Sequence, residues 1–148
     1  MSKVLITGGT GLIGSRLSSL LKAKGYEVII LTRNFNSKSS QDSFHWNIEE
    51  YSIDDSAFKN IDHILHLAGA GVADKRWSTK RKKEILTSRV VSTNLLYDTI
   101  KRLKIPLKSF VAASAIGYYG STTTDKIFIE TDQPYNDFLG NVCKLWER

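Results

Sequence analysis

Short apolar runs alternate with amphipathic stretches along most of the chain. Residues 3–7, KVLIT, are almost continuously apolar, the pattern of a strand buried on both faces. Residues 12–25, LIGSRLSSLLKAKG, place Leu12, Ile13, Leu17, Leu20 and Leu21 at helical spacing, with Gly25 as a stop. Residues 27–33, EVIILTR, predict a second buried strand. Residues 34–43 are polar and predict a loop, and FHWNI at 44–48 predicts a short third strand. A short helix or turn is expected over 54–60.

The second half repeats the alternation. IDHILHLAG at 61–69 predicts a fourth strand. A long helix is expected from Thr79 to Leu103, with Ile85, Leu86, Val90, Thr93, Leu96, Tyr97 and Ile100 on one face and Pro106 closing the region. KSFVAASA at 108–115 predicts a fifth strand. Residues 121–134 predict a loop, and a helix is expected to begin at Tyr135 and still be running at Arg148.

Strands separated by helices imply parallel strands joined by right-handed crossovers. The expected fold is α/β, an open doubly wound parallel sheet in which the five strands take the order 3-2-1-4-5. No repeat, low-complexity tract or internal linker divides the chain, so residues 1–148 are expected to form one domain. A helix running into the last residue predicts that this domain is the front part of a longer protein.

Composition changes this picture little. Hydrophobic residues make up 41% and charged residues 24%, as in ordinary globular chains. The longest apolar runs fall far short of the roughly 20 residues a bilayer crossing needs, so no membrane partner is expected. The N-terminus passes directly into a strand and a glycine loop, without a secretory signal. One cysteine, Cys143, forms no internal disulfide and fits a reducing cytoplasm. The formal net charge is +6, much of it in DKRWSTKRKKE at 74–84. Only Trp77 interleaves with these charges and no nucleic-acid motif surrounds them, which favours a solvated loop and helix start over a nucleic-acid surface. The three histidines are scattered, and neither histidines nor carboxylates show metal-ligand spacing, so no metal is expected. His66 lies in the fourth strand near the ligand edge and reads as a packed histidine.

The candidate chemistry sits in ITGGTGLIG, where Gly8, Gly11 and Gly14 lie three apart between the first strand and the first helix. Gly8 allows a tight turn, Gly11 lets a pyrophosphate approach bare backbone, and Gly14 lets the helix pack closely on the sheet. The helix N-terminus adds free N–H groups and a partial positive charge. The end of the second strand meets the adenosine ribose. An acid there would suit NAD, but the chain reads Thr32-Arg33-Asn34. Arg33, 19 positions after Gly14, suits a 2′-phosphate through paired charge-assisted bonds, so NADP is expected over NAD.

TGGTGLIG resembles the pyrophosphate loop of extended short-chain dehydrogenases/reductases. HLAGAGVADKRW, SRVVSTNLL and SAIGYYG narrow the resemblance to the atypical epimerase-like subfamily, often labelled nucleoside-diphosphate-sugar epimerase or cell-division-inhibitor-like. The resemblance covers essentially the whole chain. Members are typically about twice as long, so it implies a Rossmann-like N-terminal half, with the sixth strand and the substrate domain absent. It assigns Gly8, Thr10, Gly11, Leu12, Ile13 and Gly14 to the pyrophosphate loop and Arg33 to the NADP-selecting position. Leu67, Ala68 and Gly69 fall at the turn beside the adenosine and its ribose. Ala112, Ala113 and Ser114 fall at the strand end beside the nicotinamide ribose. Trp46-Asn47 stands where the family usually reads Trp-Asp, which puts an adenine contact there in question.

The same resemblance implies a Ser/Thr, a Tyr and a Lys four residues after the Tyr. One Tyr-x-x-x-Lys exists, Tyr97 to Lys101, but at 1.5 Å per residue it lies on the order of 27 Å along the helix from Thr79, too far from the ligand edge. It reads as an ordinary helix face with Tyr97 partly packed. At the expected place, DFLGNVCKLWE puts Leu139 at the tyrosine position and Cys143 at the lysine position. The Ser/Thr position is Ala115, with Ser114 one residue early, and a one-residue shift along a strand turns a side chain to the other face. Ser114 and Tyr118 remain as catalytic candidates, with Tyr119 beside them. Cys143 reads as a small buried hydrophobe.

Two functions follow. One is an NADP-dependent epimerase/dehydratase-like oxidoreductase acting on a hydroxyl-bearing small molecule such as a nucleotide sugar. The other is a non-catalytic NADP-binding sensor or regulatory module. The oligomeric state is open.

Overall fold

The computed structural model describes residues 2–34 and 42–148. Among the described residues, six strands, three α-helices and two 3-10 turns follow in the order β1 (Lys3–Thr7), α1 (Leu12–Ala23), β2 (Glu27–Thr32), β3 (Ser43–Asn47), β4 (Ser52–Ile53), a 3-10 turn (Asp55–Phe58), β5 (His63–His66), α2 (Thr79–Leu103), β6 (Ser109–Ala112), a 3-10 turn (Ile116–Tyr119) and α3 (Phe138–Trp146). They form one sheet in the order β4-β3-β2-β1-β5-β6. The five predicted strands are β3-β2-β1-β5-β6, parallel throughout and in the expected order. The addition is β4, a two-residue strand antiparallel to β3 at the sheet edge. It is too short to show a two-residue period, so the sequence carried no signal for it.

Alternation along the strands divides the core into two layers. Leu5, Ile29, Leu31 and Ile64 face one side with Leu95 and Leu96 of α2. Val4, Ile6 and Val28 face the other with Leu21 of α1. Both faces of β1 and β2 are therefore covered, which is why they read as apolar runs, whereas β6 leaves Phe110 and Val111 exposed. The predicted polar loop lies mostly at 35–41, outside the described residues.

The apolar positions of α1 lie on a helix as their spacing predicts, but Leu12 is 90%, Ile13 70% and Leu20 45% exposed, and the buried residues are Gly14 and Ser18. At its N-terminal end the helix meets the glycine turn through Gly14, where a Cβ would lie 2.2 Å from Gly8 O, and farther along Leu21 packs on the sheet. Two expectations are corrected. Tyr97 of α2 is 56% exposed rather than partly packed, and the burial passes instead to Ser92, Leu95, Leu96 and Thr99. The last helix begins at Phe138 rather than Tyr135 and ends at Trp146 rather than running through Arg148. Its start is set by Asp137, whose carboxylate accepts the Gly140 N–H at 2.7 Å.

Candidate functional site

The order of strand addition reverses at β1, with β2 and β3 laid down on one side and β5 and β6 on the other, and the glycine turn follows β1 there. In open α/β sheets this crevice beyond the strand ends is where ligands bind. Gly8 has φ +69°, a left-handed conformation that disfavours side chains, and a Cβ there would lie 3.0 Å from the backbone of Leu67 and Ala68. A Cβ on Gly14 would lie 2.2 Å from the Gly8 carbonyl oxygen. The turn is closed by the Gly11 N–H donating to Gly8 O at 3.0 Å. Gly11 is the N-cap of α1, and no side chain caps it and no acid stands in the first turn. The helix thus presents uncapped N–H groups to the crevice, a ready-made anion site.

A cleft of about 290 Å³ opens over this turn. Gly8, Thr10 and Gly11 form its centre, Leu67, Ala68 and Gly69 one wall with Ala70 and Ser88, and Leu31, Thr32, Arg33 and Asn34 the other, with Trp46 and Ile48 below. Leu12 and Ile13 stand exposed at the mouth and are not part of its lining. Trp46 is 2% exposed, whereas the Asn47 carboxamide is turned away to accept the Glu49 and Glu50 N–H groups. Arg33 is exposed, and its charge reaches across to Glu84 at the start of α2. Glu84 is held below the usual carboxylate range first by its hydrogen bond from Arg81, then by the charges of Lys75 and Arg33.

The wall at Leu67–Ala68 is held by a buried polar chain. Thr7 Oγ1 accepts the Leu67 and Ala68 N–H groups, both at 3.2 Å, and lies 2.6 Å from His66 Nδ1. With its lone pairs occupied, the hydroxyl must donate to Nδ1, so the imidazole carries its proton on Nε2 and donates to Ser92 Oγ at 3.0 Å. Ser92 in turn donates toward the Ser88 carbonyl at 2.7 Å. His66 is fully buried, and burial lowers its pKa to about 4 from 6.5, so it stays neutral at physiological pH.

The segment 70–78 crosses from the cleft to α2 and is tied down by Arg81, 6% exposed. Its guanidinium donates to Glu84 at 2.7 Å, to Asp74 at 3.3 Å and to the Gly71 carbonyl. Trp77 Nε1 donates to Val72 O at 2.8 Å, and its ring meets Phe138 of α3 edge-on at 5.3 Å. The basic segment is therefore partly internal wiring. Ser78 caps α2, accepting the Arg81 N–H at 3.2 Å.

The strand-end residues on the β6 side gather elsewhere. Ala112 pairs with His66 in register and lines neither cavity, and the Ala113 N–H donates to His66 O at 3.0 Å. Ser114, Ala115, Ile116, Tyr118, Tyr119, Glu130 and Glu147 line a second cavity of about 380 Å³. The argument that Ser114 must face away from the Ala115 position fails, because β6 ends at Ala112 and strand alternation stops before either residue. The Ser114 hydroxyl donates to Glu147. Tyr119 stacks on Phe128 at 4.8 Å and donates to Ile129 O at 3.2 Å. Desolvation and then the neighbouring Glu130 raise its pKa, which disfavours the phenolate. Leu139 packs over Gly117, and Cys143 is buried with its thiol 3.7 Å from Ala115 O and pushed up by burial. Lys101 lies over the Tyr97 ring, the ammonium 4.9 Å from its centre, on an exposed face. Among the described residues no cluster could hold a metal ion, and no helix is long and apolar enough to cross a membrane.

Sequence reasoning missed Thr7, Ser92, Arg81 and Arg89. The available signal was polarity inside apolar runs: Thr7 ends a buried strand, and Ser88, Arg89 and Ser92 interrupt the inward face of α2.

Comparison with known proteins matches this geometry. The model of the NAD dependent epimerase/dehydratase family aligns with residues 4–138. An epimerase family protein of Mycobacterium leprae is 33% identical over 144 residues, which is 97% of this chain and 45% of the relative. The crystal structure of the human epimerase family protein SDR39U1 (isoform 2) with NADPH superposes with a TM-score of 0.81 at 30% identity, covering 98% of this chain and 47% of that one. MoeE5 in complex with UDP-glucose and NAD gives a TM-score of 0.78 at 28% identity, over 99% of this chain and 47% of that one. The chain spans about half the length of the curated relatives it matches. With the glycine turn, the switch-point cleft and the family match over most of its length, this chain belongs to the NAD dependent epimerase/dehydratase family.

Proposed function

We propose that this chain binds NADP(H) in the switch-point cleft and is the cofactor-holding unit of an epimerase/dehydratase-like oxidoreductase. The observation that carries the cofactor choice is Arg33, standing with Thr32 and Asn34 in the cleft wall where no carboxylate is available for a ribose diol. A guanidinium there pairs with a 2′-phosphate and gives NAD no comparable contact. The bare cradle at Gly8 and Gly14 and the uncapped α1 fit a diphosphate. Gly8, Thr10, Gly11, Leu12, Ile13 and Gly14 would supply backbone to it, Leu67, Ala68 and Gly69 would flank the adenosine ribose, and Ala112 would flank the other end. NADPH in the human relative supports the choice, and NAD in MoeE5 is the alternative it must exclude.

Bound there, a nicotinamide supplies hydride transfer. The chain's own task is to move a proton on a substrate hydroxyl, and Ser114 and Tyr118, which share one cavity, are the groups proposed for it. A nucleotide sugar is the proposed substrate class, by analogy with the UDP-glucose in MoeE5. A cytoplasmic setting goes with this reading and with the single free thiol. The non-catalytic sensor is favoured by one observation: Leu139 and Cys143 stand where a tyrosine and a lysine would work, one inert and the other a buried thiol with a raised pKa.

Titration of the chain with NADPH and NADH by fluorescence tests the cofactor. NADPH should bind at least about tenfold more tightly, a difference of about 1.4 kcal/mol that Arg33→Ala abolishes. Equal affinities in the wild type would refute it. Turnover of NADP(H) with a panel of nucleotide sugars, lost in Ser114→Ala or Tyr118→Phe, separates the enzyme from the sensor.

A further inference from the structure

Arg89 is a half-buried cation on α2 with no carboxylate partner among the described residues. Its Nη1 donates to the carbonyls of Ala70 and Ile85, both at 3.0 Å. One face of the guanidinium lies over the Trp146 ring, 5.1 Å from its centre. Its carbon would be 3.0 Å from a Cβ on Gly69, so the glycine makes room for it. The Cys143 thiol is near enough to feel its charge. Side chains on a helix lean toward its N-terminus, and here that leads the arginine up to the strand-end level rather than down into the core.

A guanidinium has five N–H donors, and only those on Nη1 are engaged. Nε and Nη2 form an unused fork suited to two oxygens side by side. Desolvating a cation without such partners is costly, and burial already depresses its pKa. The fork stands beside Gly69 and Ala70, both in the cleft wall. Arg33 and Arg89 lie on opposite sides of the glycine turn, one at the end of β2 and the other on the β5–β6 side. A diphosphate held on that turn therefore sends one nucleoside toward Arg33 and the other toward Arg89.

We propose that Arg89 is a cofactor-positioning residue whose free N–H fork holds the ribose oxygens of the second, nicotinamide-bearing nucleoside. The assignment rests on the dinucleotide reading of the cleft, and it places a cation from α2 where Cys143 of α3 brings none. The Trp146 contact then holds the guanidinium in place against α3.

The test compares two ligands on the 148-residue chain: NADPH, which has both nucleosides, and 2′,5′-ADP, which has only the adenosine end. Arg89→Met should weaken NADPH about tenfold and leave 2′,5′-ADP within about twofold. Arg33→Ala should weaken both. Arg89→Lys, which keeps the charge but loses the fork, should weaken NADPH by a smaller factor, about threefold, and spare 2′,5′-ADP. If Arg89→Met fails to fold, the lysine variant decides on the same two affinities. Unchanged NADPH binding, or an equal loss for both ligands, overturns the assignment while leaving the cofactor reading standing. A wild-type chain that binds neither nucleotide overturns both.

Discussion

Thr7 Oγ1 lies 2.6 Å from His66 Nδ1, and through this contact the end of β1 fixes the turn that forms the cleft wall. The hydroxyl is the donor to His66 and the acceptor for two backbone N–H groups at Leu67 and Ala68. Thr7→Val keeps the shape and removes the oxygen, leaving His66 Nδ1 and the Ala68 amide without a partner, while the Leu67 N–H keeps its bond to the Thr7 carbonyl at 3.2 Å. Each orphaned group costs its desolvation, so the variant should lose about 2 kcal/mol or more in urea unfolding. Thr7→Ser should restore most of it. A valine variant as stable as the wild type would show that water replaces the hydroxyl.

The same histidine makes stability pH-dependent. Its folded pKa of about 4 lies below the ordinary 6.5, because a charged imidazole is not tolerated in the core. Between these values the unfolded chain binds the proton and the folded one does not, so stability falls as pH drops through this window. Above about pH 6.5 the group contributes no slope, and below about pH 4 the slope ends. The full loss is roughly 3 kcal/mol, at about 1.4 kcal/mol per pH unit. Urea midpoints across this range should decline for the wild type and decline less for His66→Asn. Parallel profiles would exclude His66 as the source.

The inner strands β1 and β2 were legible because burial on both faces writes itself as apolar runs: KVLIT is β1 to the residue. The long helix was legible for its span, Thr79–Leu103, but less so for its face. Tyr97 lies on the predicted apolar stripe yet is exposed, while Ser92 and Thr99 are buried because they return their hydroxyls to the helix's own carbonyls. Such internal satisfaction leaves no trace in a hydropathy pattern. The glycine cradle was legible from spacing in a strand–turn–helix context. The Thr7–His66–Ser92 chain and the Arg89 fork were not, because each joins residues from separate elements whose meeting depends on the folded topology.

Gly14 is the position where α1 meets the turn most closely. A methyl group would stand 2.2 Å from Gly8 O and 2.7 Å from Gly9 Cα, and both obstacles are backbone. Gly14→Ala should therefore move α1 off the sheet, costing at least about 2 kcal/mol. It should also abolish saturable NADPH binding, because the displaced helix no longer aims its N–H groups into the cleft. Gly25→Ala is the control, since a Cβ there meets nothing within 4 Å. Its φ of +83° confines the penalty to local strain far from the cleft, so nucleotide affinity should be retained.

Arg81 offers a test of how the segment beside the cleft is held. Its side chain is 7% exposed and gathers Asp74, Glu84 and the Gly71 carbonyl, whereas its two carboxylate partners are half or more exposed. Removing it leaves no cation buried, but it releases the 70–78 segment from α2. Arg81→Met retains most of the apolar stem and loses every donor, so the expected cost is about 2–3 kcal/mol, below that of a fully buried pair. The local consequence can be read separately from the global one. Of the three tryptophans, Trp46 and Trp146 are buried and Trp77 is 41% exposed, held by Val72 O and the Phe138 ring. Release of the segment should therefore red-shift the emission and raise acrylamide quenching well below the melting temperature. A variant that melts earlier but keeps the wild-type spectrum would mean that Trp77 and Phe138 hold the segment without the arginine.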